Sequence, residues 1–588
     1  MARPADDGNA RALLLGRPWA AASGSESRIG ASIAQTPRSR LRERARRTAR
    51  CSPGALFGVA MFLAVMPLSV LDPRNVRWLF AGDAASHYLG WAFFRNDPWQ
   101  WPPGATWRYG EAMASSIVYS DSIPLLALAL KPFSAFLPAA FQYTGWWILA
   151  SMALTGAFGW RIGKVATRSN FGAFVAACLA VTSPIMLERA TGHYALMGHW
   201  LILWSLLDYL ILPRSLRATG LPLWVAALTH AYLLLIVLAV WCSEQLRFVL
   251  QHRLLARRSA LARFMARDAA VLLVLAIVLQ LAGYFELSGG SIGGDMYGRF
   301  ALNLNSFVNP RWASSFLPEL PSRAGTEFEG FAYLGLGALL LAASGTLGLL
   351  GSTSGRADLC RLGPLLAASL LLAAFALSHE VYLGNHEVLR IPWPRELLLR
   401  FGTFRASGRM IWALYYAILM GGALATLRHF PRRTAVAIVA VALILQEIDL
   451  APHAFGLRRF FAERYERGKG LENPDLAAPE WERIAARYRH VHVVPMEHIA
   501  PNYFRLGLFA ASHDMTINVG YFSRAPHLAE ERASLLERVR NGDWEPDTVY
   551  VLNDPALVAE IPRGADDALL ERDGMWVLAP GFGVAREE

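Results

Sequence analysis

The chain contains little cysteine and almost no lysine. Lysine occurs only as Lys131, Lys164 and Lys469, so arginine supplies nearly all of the positive charge behind a net charge of +11. The four cysteines lie in or beside apolar segments, and none follows residue 450. This pattern indicates neither a disulfide framework nor a thiolate metal site. The residues after 450 also lack a glycine-rich phosphate loop and a nucleophile elbow.

Extended polar sequence is scarce as well, because 54% of the residues are hydrophobic and the mean hydropathy is +0.29. Soluble proteins rarely have this composition. Apolar runs recur at close to the roughly 20 residues that cross a hydrocarbon core of about 30 Å. The composition therefore predicts a mainly α, polytopic bundle of transmembrane helices over residues 51–450. The apolar segments are 54–72, 122–138, 141–159, 171–187, 198–212, 221–242, 268–285, 331–350, 363–378, 408–427 and 432–449.

Arginine clusters predict the orientation of the chain. Residues 1–50 are arginine-rich without a sustained apolar pattern, and we interpret them as a disordered basic cytoplasmic tail. The basic links at 243–267 and 428–433 should also be cytoplasmic, because positive residues favour that side of a membrane. For a bacterial cell this predicts a multi-pass inner membrane protein with residues 451–588 in the periplasm. Since the lipid bilayer accounts for the positive charge, no nucleic acid partner is expected.

If every apolar segment crosses the membrane, the basic link at 161–168 lies outside and His193 lies inside. This topology conflicts with the preference of positive residues for the cytoplasmic side. The segment 122–138 is interrupted by a Lys-Pro pair, and 221–242 has a Thr-His pair at its centre. We interpret the first as a dip into the membrane and the second as a broken, re-entrant hairpin, because irregular backbone is tolerated where it lines a cavity. Nine full crossings then remain. The outer side holds Asp83, Asp121 and His193.

Residues 451–588 are polar and mixed, which predicts a small extracytoplasmic α/β domain. Alternating apolar residues mark strands, and Asp573-Gly574 marks a hairpin turn. Helical periodicity marks two further segments. The predicted strands are 490–495, 516–520, 548–552, 569–570 and 575–578, and the predicted helices are 502–511 and 526–540.

The first external loop, residues 81–104, combines an acid with a histidine. Asp83 and His87 are four residues apart and so lie on one face of any helix there. A carboxylate at this place could deprotonate an acceptor hydroxyl or hold a metal that binds phosphate. Alternatively, Asp83 only caps the helix that follows Gly82. The aromatic residues around them are of the types that settle at a membrane–water boundary: Trp91, Phe93, Phe94, Trp99 and Trp101.

Two further polar clusters lie next to apolar segments. Asp121 stands where the chain re-enters the membrane, as a second carboxylate position or as a cap ahead of Pro124. Arg189 could bind a lipid phosphate through its planar fork, with His193 and His199 close behind it as further substrate contacts. Ionisable groups at such positions are costly and by default indicate function. An ordinary surface loop is the alternative.

The remaining candidates come from later external segments. The loop 284–330, rich in Gly and Asn, closes with Glu329 and is either a lid over a substrate or a passive connector. Arg405 and Arg409 lie four residues apart on either side of Gly408. They form a candidate anion clamp, unless they only extend to the membrane interface.

With these motifs the chain resembles the GT-C superfamily of polytopic glycosyltransferases, and within it a bacterial family of uncharacterised integral membrane proteins. The resemblance covers residues 54–450, with a family-typical external domain after it. For the superfamily, only the acid of the first external loop is diagnostic. The residues that carry the resemblance are Gly82-Asp83 with His87, Gly90-Trp91 through Arg95, Pro98-Trp99 with Trp101-Pro102, and the stretches 119–124, 187–193 and 404–412.

The resemblance implies a polyprenyl-phosphate-linked sugar as donor and a glycan, lipid or protein acceptor on the outer face. It casts Asp83 as the catalytic base. Relatives often carry two adjacent acids in this loop, whereas Asp83 is followed by Ala84. A divalent cation such as Mg or Mn, if one is used, would therefore be held by Asp83 and Asp121.

Two functions fit these observations. The favoured one is a membrane glycosyltransferase in which Asp83 activates an acceptor hydroxyl. Arg189, Arg405 or Arg409 would then stabilise the phosphate that leaves. The alternative is a non-enzymatic transporter or assembly partner for envelope polysaccharide or lipid, because broken helices and polar groups at membrane depth also mark transporters. The inverted repeats that would support transport are not apparent in the sequence.

Overall fold

The computed structural model describes residues 52–80, 82–113, 115–213, 215–286, 296–323, 327–463, 476–497, 499–525 and 527–584. The tail predicted over residues 1–50 lies outside the described residues, and so do the glycines at 289–294 of the external loop.

Long apolar helices dominate the chain between residues 52 and 463. Six described helices are long and apolar enough to cross a membrane, and two bent helices together form a seventh candidate. The predicted mainly helical bundle is therefore confirmed. The six are Tyr194–Ile211, Ala231–Gln251, Arg258–Ala282, Thr353–Leu377, Ser407–His429 and Arg432–Phe461. The bent pair, with an angle of 41°, is Asn170–Val181 and Pro184–Thr191.

Fewer helices qualify as crossings than the nine predicted. The apolar segments 54–72 and 331–350 form helices of 14 and 16 residues. At a rise of about 1.5 Å per residue such helices extend only about 21 and 24 Å. The segment 141–159 belongs to a long helix that is less apolar than the six, since it contains Arg161 and several Gly, Ser and Thr residues. The other helices of this part are Ser52–Val65, Asp83–Asn96, Pro124–Leu130, Thr144–Thr167, Leu216–Ala227, Leu336–Gly351 and Arg395–Phe401.

Both segments that we interpreted as incomplete crossings are broken. The segment 122–138 forms only the seven-residue helix Pro124–Leu130 and a 3₁₀ turn after it. The segment 221–242 breaks just before His230, whose side chain caps the next helix. That helix is longer than the hairpin interpretation supposed, because it continues to Gln251 and so suffices for a crossing by itself.

Helix Thr144–Thr167 connects two ends of the bundle that differ in chemistry. Just before it, the Tyr143 hydroxyl donates to a backbone carbonyl next to Asp121. At its other end, the Ala166 carbonyl accepts a hydrogen bond of 2.7 Å from Arg428. The basic links at 161–168 and 428–433 therefore meet at one end, while Asp121 lies at the other. The interpretation of 122–138 and 221–242 as incomplete crossings requires this arrangement, because it places the basic links and Asp121 on opposite sides of the membrane.

Glycine permits the closest helix contacts of the bundle. A Cβ atom on Gly58 would lie 2.0 Å from the carbonyl oxygen of Met152. A Cβ atom on Gly422 would lie 2.7 Å from the carbonyl oxygen of Leu341. Such close approach supplies the packing that holds helices together in lipid, where burial of apolar side chains gives little advantage.

The C-terminal region is a small α/β unit, as predicted. Four short strands precede it in the chain as two antiparallel hairpins: β1 (Ala105–Thr106) with β2 (Ser115–Ser116), and β3 (Glu380–Leu383) with β4 (His386–Arg390). Its own strands are β5 (His490–Val494), β6 (Thr516–Ile517), β7 (Thr548–Leu552), β8 (Ala568–Arg572) and β9 (Met575–Ala579). Its helices are Glu480–Arg487, Tyr503–Ser512, Leu528–Asn541 and Pro555–Glu560.

The five strands of this region form one mixed sheet in the order β6-β5-β7-β9-β8. β5 pairs in parallel with β6 and β7, whereas β9 runs antiparallel to β7 and β8. β6 is shorter than predicted. The last long helix of the membrane part runs through the predicted boundary at residue 450 and ends at Phe461.

The C-terminal domain packs against residues 110–119, which follow helix Asp83–Asn96. The Gly110 amide donates to the carbonyl of Ile517 in β6 at 2.8 Å. The Ser523 amide donates to the carbonyl of Tyr119 at 3.1 Å. The loop after β6 is thereby held beside Asp121, where it forms one wall of a cavity.

Candidate functional site

A cavity of about 610 Å³ lies at the end of the bundle that carries Asp121. It brings together residues that are far apart in the sequence, from Asp83 to Arg524. Seven of the nine predicted site residues line it, and the other two, Arg189 and His199, do not. The seven are Asp83, His87, Asp121, His193, Glu329, Arg405 and Arg409.

Asp83 is the first residue of helix Asp83–Asn96, and its side chain does not act as a helix cap. Gly82, at φ +56°, occupies the cap position, and no side chain accepts the cap hydrogen bond there. Instead, one carboxylate oxygen of Asp83 lies 3.2 Å from Nδ1 of His193, and the side chain remains 35% exposed. Asp83 is thus held at the cavity wall with access to solvent.

The aromatic residues of the stretch 81–104 divide into two groups. Trp99 and Trp101 are exposed, as expected for the membrane boundary. Trp91, Phe93 and Phe94 are buried instead, which corrects the prediction that they lie at that boundary. They pack the helix against the bundle, because one side of an external helix beside other elements must also bury its apolar residues.

Glu329 is the centre of a buried ionic cluster. Its carboxylate accepts from Arg189 at 2.7 Å and from Nε of Arg409 at 2.8 Å. A second hydrogen bond from Arg409 completes a bidentate pair. Nε2 of His193 lies 3.4 Å from the other side of the same carboxylate. Burial alone would raise the pKa of Glu329, but Arg409 and Arg189 hold it well below its usual value.

Asp121 has a histidine partner of its own. It adopts a left-handed backbone conformation and lies 3.3 Å from Nε2 of His230. Nδ1 of His230 accepts from the Tyr232 amide at 3.1 Å, so the other ring nitrogen is left to donate to the carboxylate. Burial would raise the pKa of Asp121, but the interaction with His230 outweighs it and keeps this pKa below its usual value.

His87 lines the cavity and is more deeply buried than the two acids. Burial lowers its pKa to about 4, so the imidazole is neutral at physiological pH. Among the described residues its Nδ1 has no hydrogen-bond partner. Its backbone carbonyl accepts from the Ser122 hydroxyl at 2.7 Å, which joins this helix to the segment around Asp121.

The three predicted arginines differ in what they contact. Arg189 and Arg409 are buried and bind Glu329. Arg405 lines the cavity and lies 3.3 Å from the Tyr521 hydroxyl of the C-terminal domain. Among the residues that the structure describes, no carboxylate pairs with Arg405. His199 is fully buried and contacts the Tyr416 hydroxyl at 3.0 Å, away from the cavity.

Sequence reasoning missed the contribution of the C-terminal domain. Tyr521, Ser523 and Arg524 line the cavity next to Arg405. They follow β6, and loops at the carboxyl ends of parallel strands commonly carry function, which is the one signal that could have indicated them. The same cavity also has an apolar wall. It is formed by Leu234, Leu235, Leu279, Phe285, Phe300 and Phe328.

The residues present do not fit a divalent cation well. Within the described ranges, no group of three or more His, Cys, Asp or Glu side chains is arranged to hold a metal ion. Each half-buried acid of the cavity faces an imidazole, Asp83 facing His193 and Asp121 facing His230. The two carboxylates proposed for Mg or Mn are therefore each engaged by a separate histidine.

Comparison with known families accounts for most of the chain. The family model described as Domain of unknown function (DUF6311) matches residues 55–451. The model described as DUF6311 C-terminal domain matches residues 480–580. None of the curated proteins compared with the chain matches it. The two matches cover the helical bundle and the small α/β domain that together enclose the cavity, and the chain therefore belongs to the DUF6311 family.

Proposed function

We propose that the chain is a membrane glycosyltransferase of the GT-C type. It transfers a sugar from a polyprenyl-phosphate donor to a cell-envelope acceptor. The observation that carries this proposal is the convergence of Asp83, Asp121, His193 and Arg405 on one cavity that also has an apolar wall. A lipid-linked sugar phosphate needs both regions, since its head is polar and its chain is apolar.

In the proposed reaction, Asp83 accepts the proton of an acceptor hydroxyl. The hydroxyl oxygen forms a bond to the anomeric carbon of the sugar, while the bond from that carbon to the phosphate oxygen breaks. The lipid phosphate leaves with the electron pair of that bond. Arg405 supports its departure, because a guanidinium without a carboxylate partner can donate two hydrogen bonds to a phosphate.

The two remaining walls suit the two substrates. The isoprene units next to the phosphate would contact Leu234, Leu279 and the phenylalanines of the apolar wall. The acceptor would contact the loop of the C-terminal domain, where Tyr521 and Ser523 supply hydroxyl groups for a sugar or polar lipid.

The substitution Asp83→Asn tests this function. Full-length protein in lipid nanodiscs would be assayed with a set of synthetic polyprenyl-phosphate sugars and envelope extract as acceptor. We expect transfer to fall by at least about 100-fold, as for loss of a general base, while insertion and accumulation are unchanged. Asp72→Asn is the matched control, because Asp72 is exposed and does not line the cavity.

Transfer at the wild-type rate by Asp83→Asn would remove Asp83 from the mechanism. If the wild-type protein transfers no sugar but moves a lipid-linked sugar between leaflets, the transporter alternative replaces this proposal.

We further propose that the cavity and the C-terminal domain face the periplasm of a bacterial inner membrane. The support is the gathering of basic residues at the opposite end of the bundle, where Arg428 meets Ala166. Alkaline phosphatase fused to the C-terminus should then be active, and phosphatase fused after Arg257 in the basic link should be inactive. The reverse pattern would overturn this orientation.

A further inference from the structure

We propose that His193 carries the proton that Asp83 removes from the acceptor, and that Glu329 holds the imidazole in the tautomer this requires. The inference rests on the proposed glycosyl transfer, and it assigns His193 and Glu329 to the base rather than to substrate binding. Glu329 is then a positioning residue, since it acts through His193 and does not touch the reacting atoms.

The geometry places one imidazole between two carboxylates. Nδ1 of His193 lies 3.2 Å from Oδ2 of Asp83, and Nε2 lies 3.4 Å from Oε1 of Glu329. The His193 side chain is 27% exposed, whereas that of Glu329 is only 5% exposed. The imidazole therefore joins a half-exposed acid to an acid that is almost fully buried.

A neutral imidazole cannot satisfy both of these contacts. It has one N–H donor and one lone pair, while an ionised carboxylate only accepts. When Asp83 and Glu329 are both ionised, one of the two contacts of neutral His193 is between two acceptors. One added proton converts that contact into a hydrogen bond. Hydrogen bonds at both contacts therefore require one proton more than a neutral imidazole carries.

The arginines determine which nitrogen of His193 is the base. Arg189 and Arg409 bind the Glu329 carboxylate at 2.7 and 2.8 Å, and these charges keep it ionised. An ionised Glu329 accepts from the Nε2–H group of His193. Nδ1 is then the unprotonated nitrogen, and it is the one that faces Asp83.

The proton can be followed through each step. It leaves the acceptor hydroxyl as the oxygen attacks the anomeric carbon, and it binds to Asp83. It then moves from Oδ2 of Asp83 to Nδ1 of His193, where the imidazolium donates to Asp83 and to Glu329. The exposed part of His193 returns it to water in the cavity, which restores the starting state.

The other histidine of the cavity provides an internal comparison. Nδ1 of His230 accepts from the Tyr232 amide, and Nε2 faces Asp121. Both nitrogens of His230 therefore have partners when the ring is neutral. His230 fixes Asp121 and has no free nitrogen for a proton, so it serves as the matched control for His193.

The tautomer of His193 can be measured without any substrate. Full-length protein labelled with ¹⁵N-histidine would be studied by NMR in nanodiscs, and His193→Gln would identify the His193 signal by its loss. At the pH of the transfer assay we expect the signal of the neutral Nε2–H tautomer. An imidazolium, a neutral Nδ1–H tautomer, or a mixture of the two neutral tautomers would overturn the inference, because Nδ1 must be unprotonated to accept the proton.

The proton transfer itself is tested with two small alcohols as acceptors, ethanol and the more acidic trifluoroethanol, and a polyprenyl-phosphate sugar as donor. We expect His193→Gln to lower kcat by about 100-fold with ethanol, and the KM for the donor to change less than threefold. With trifluoroethanol the reduction in kcat should be about ten times smaller, because its more acidic hydroxyl depends less on a base to remove its proton. Any reduction in kcat caused by His230→Gln should be the same factor for both alcohols.

If His193→Gln lowers kcat by the same factor with both alcohols, the proton transfer is overturned and His193 has only a structural role. If Asp83→Asn abolishes transfer while His193→Gln matches the wild type, this inference fails and the proposed function stands. If Asp83→Asn transfers normally, the proposed base fails. The tautomer measurement still decides the inference about His193 where neither alcohol is accepted.

Discussion

At the scale of single residues, the cavity separates arginines by what they already bind. Arg189 and Arg409 neutralise Glu329 within the protein, and both are buried. Arg405 lines the cavity beside Tyr521 and is available to an anionic substrate. The two arginines of the predicted clamp, four residues apart in the sequence, therefore have different partners.

This difference leads to contrasting predictions for two substitutions. Arg405→Gln should lower kcat/KM for the lipid-phosphate donor by about 10- to 100-fold, because a hydrogen bond to a charged group contributes about 1.5–3 kcal/mol. Its thermal unfolding midpoint should remain that of the wild type. Arg409→Gln should lower the free energy of unfolding by about 3–5 kcal/mol, because it leaves a buried carboxylate short of a cation. The test is to measure kcat/KM for the donor and the free energy of unfolding for both variants in detergent. A stability loss in Arg405→Gln with only a kinetic loss in Arg409→Gln would contradict the prediction.

At the scale of elements, close contact between helices depends on particular glycines. Helix Trp412–His429 contains Gly421 and Gly422 side by side. A Cβ atom on Gly422 would lie 2.7 Å from the Leu341 carbonyl oxygen, whereas one on Gly421 would meet nothing within 4 Å. Glycine is therefore required at position 422, whereas position 421 has space for a side chain.

Gly422→Ala should destabilise the bundle by about 1–3 kcal/mol, because the added methyl group pushes two backbones apart. Gly421→Ala is the matched control and should be neutral or slightly stabilising, since alanine favours a helix more than glycine does. The thermal unfolding midpoint of each variant, followed by loss of the monodisperse peak in size-exclusion chromatography, measures the difference. Equal midpoints would contradict the contact.

At the scale of the whole molecule, the Glu111 carboxylate of the helical part binds the C-terminal domain. Glu111 lies 3.1 Å from Nδ1 of His490 and 2.7 Å from Nε2 of His492, both in β5. Asp547 also faces His490, at 3.7 Å. The contact fixes the domain whose loop forms one wall of the cavity. Domain position and cavity shape are therefore linked.

Titration of this contact predicts how the stability of the docked domain depends on pH. Burial would raise the pKa of Glu111, but the hydrogen bonds from His490 and His492 bring it down to about 2. The hydrogen bond to Glu111 raises the pKa of His490 above its usual 6.5. The Glu111 contribution is complete above its usual pKa of 4.5 and is lost as the pH falls towards 2. The His490 contribution is complete below 6.5 and is lost as the pH rises through the raised pKa.

The docked domain should therefore be most stable between about pH 4.5 and 6.5. Unfolding midpoints of the intact protein from pH 3 to pH 9 measure this dependence. Glu111→Gln should flatten the curve, because an amide does not ionise and binds a protonated histidine weakly. An identical curve for this variant would show that other groups set the pH dependence.

The sequence by itself determined the helical bundle, the α/β domain after it and the polar segments that contribute to the cavity. These features depend on short-range patterns: apolar runs of about membrane length, alternation in strands, and acids or arginines beside apolar segments. The segments 122–138 and 221–242 were predicted to break because polar residues interrupt them, and both do.

Only the tertiary structure decided which charged groups are partners. Glu329 lies 140 residues from Arg189 and 80 residues from Arg409, and no local pattern links them. Likewise, the loop after β6 joins the cavity only because the C-terminal domain docks on residues 110–119. A buried charge must find an opposite charge wherever the packed helices bring one close, and that position depends on the whole fold.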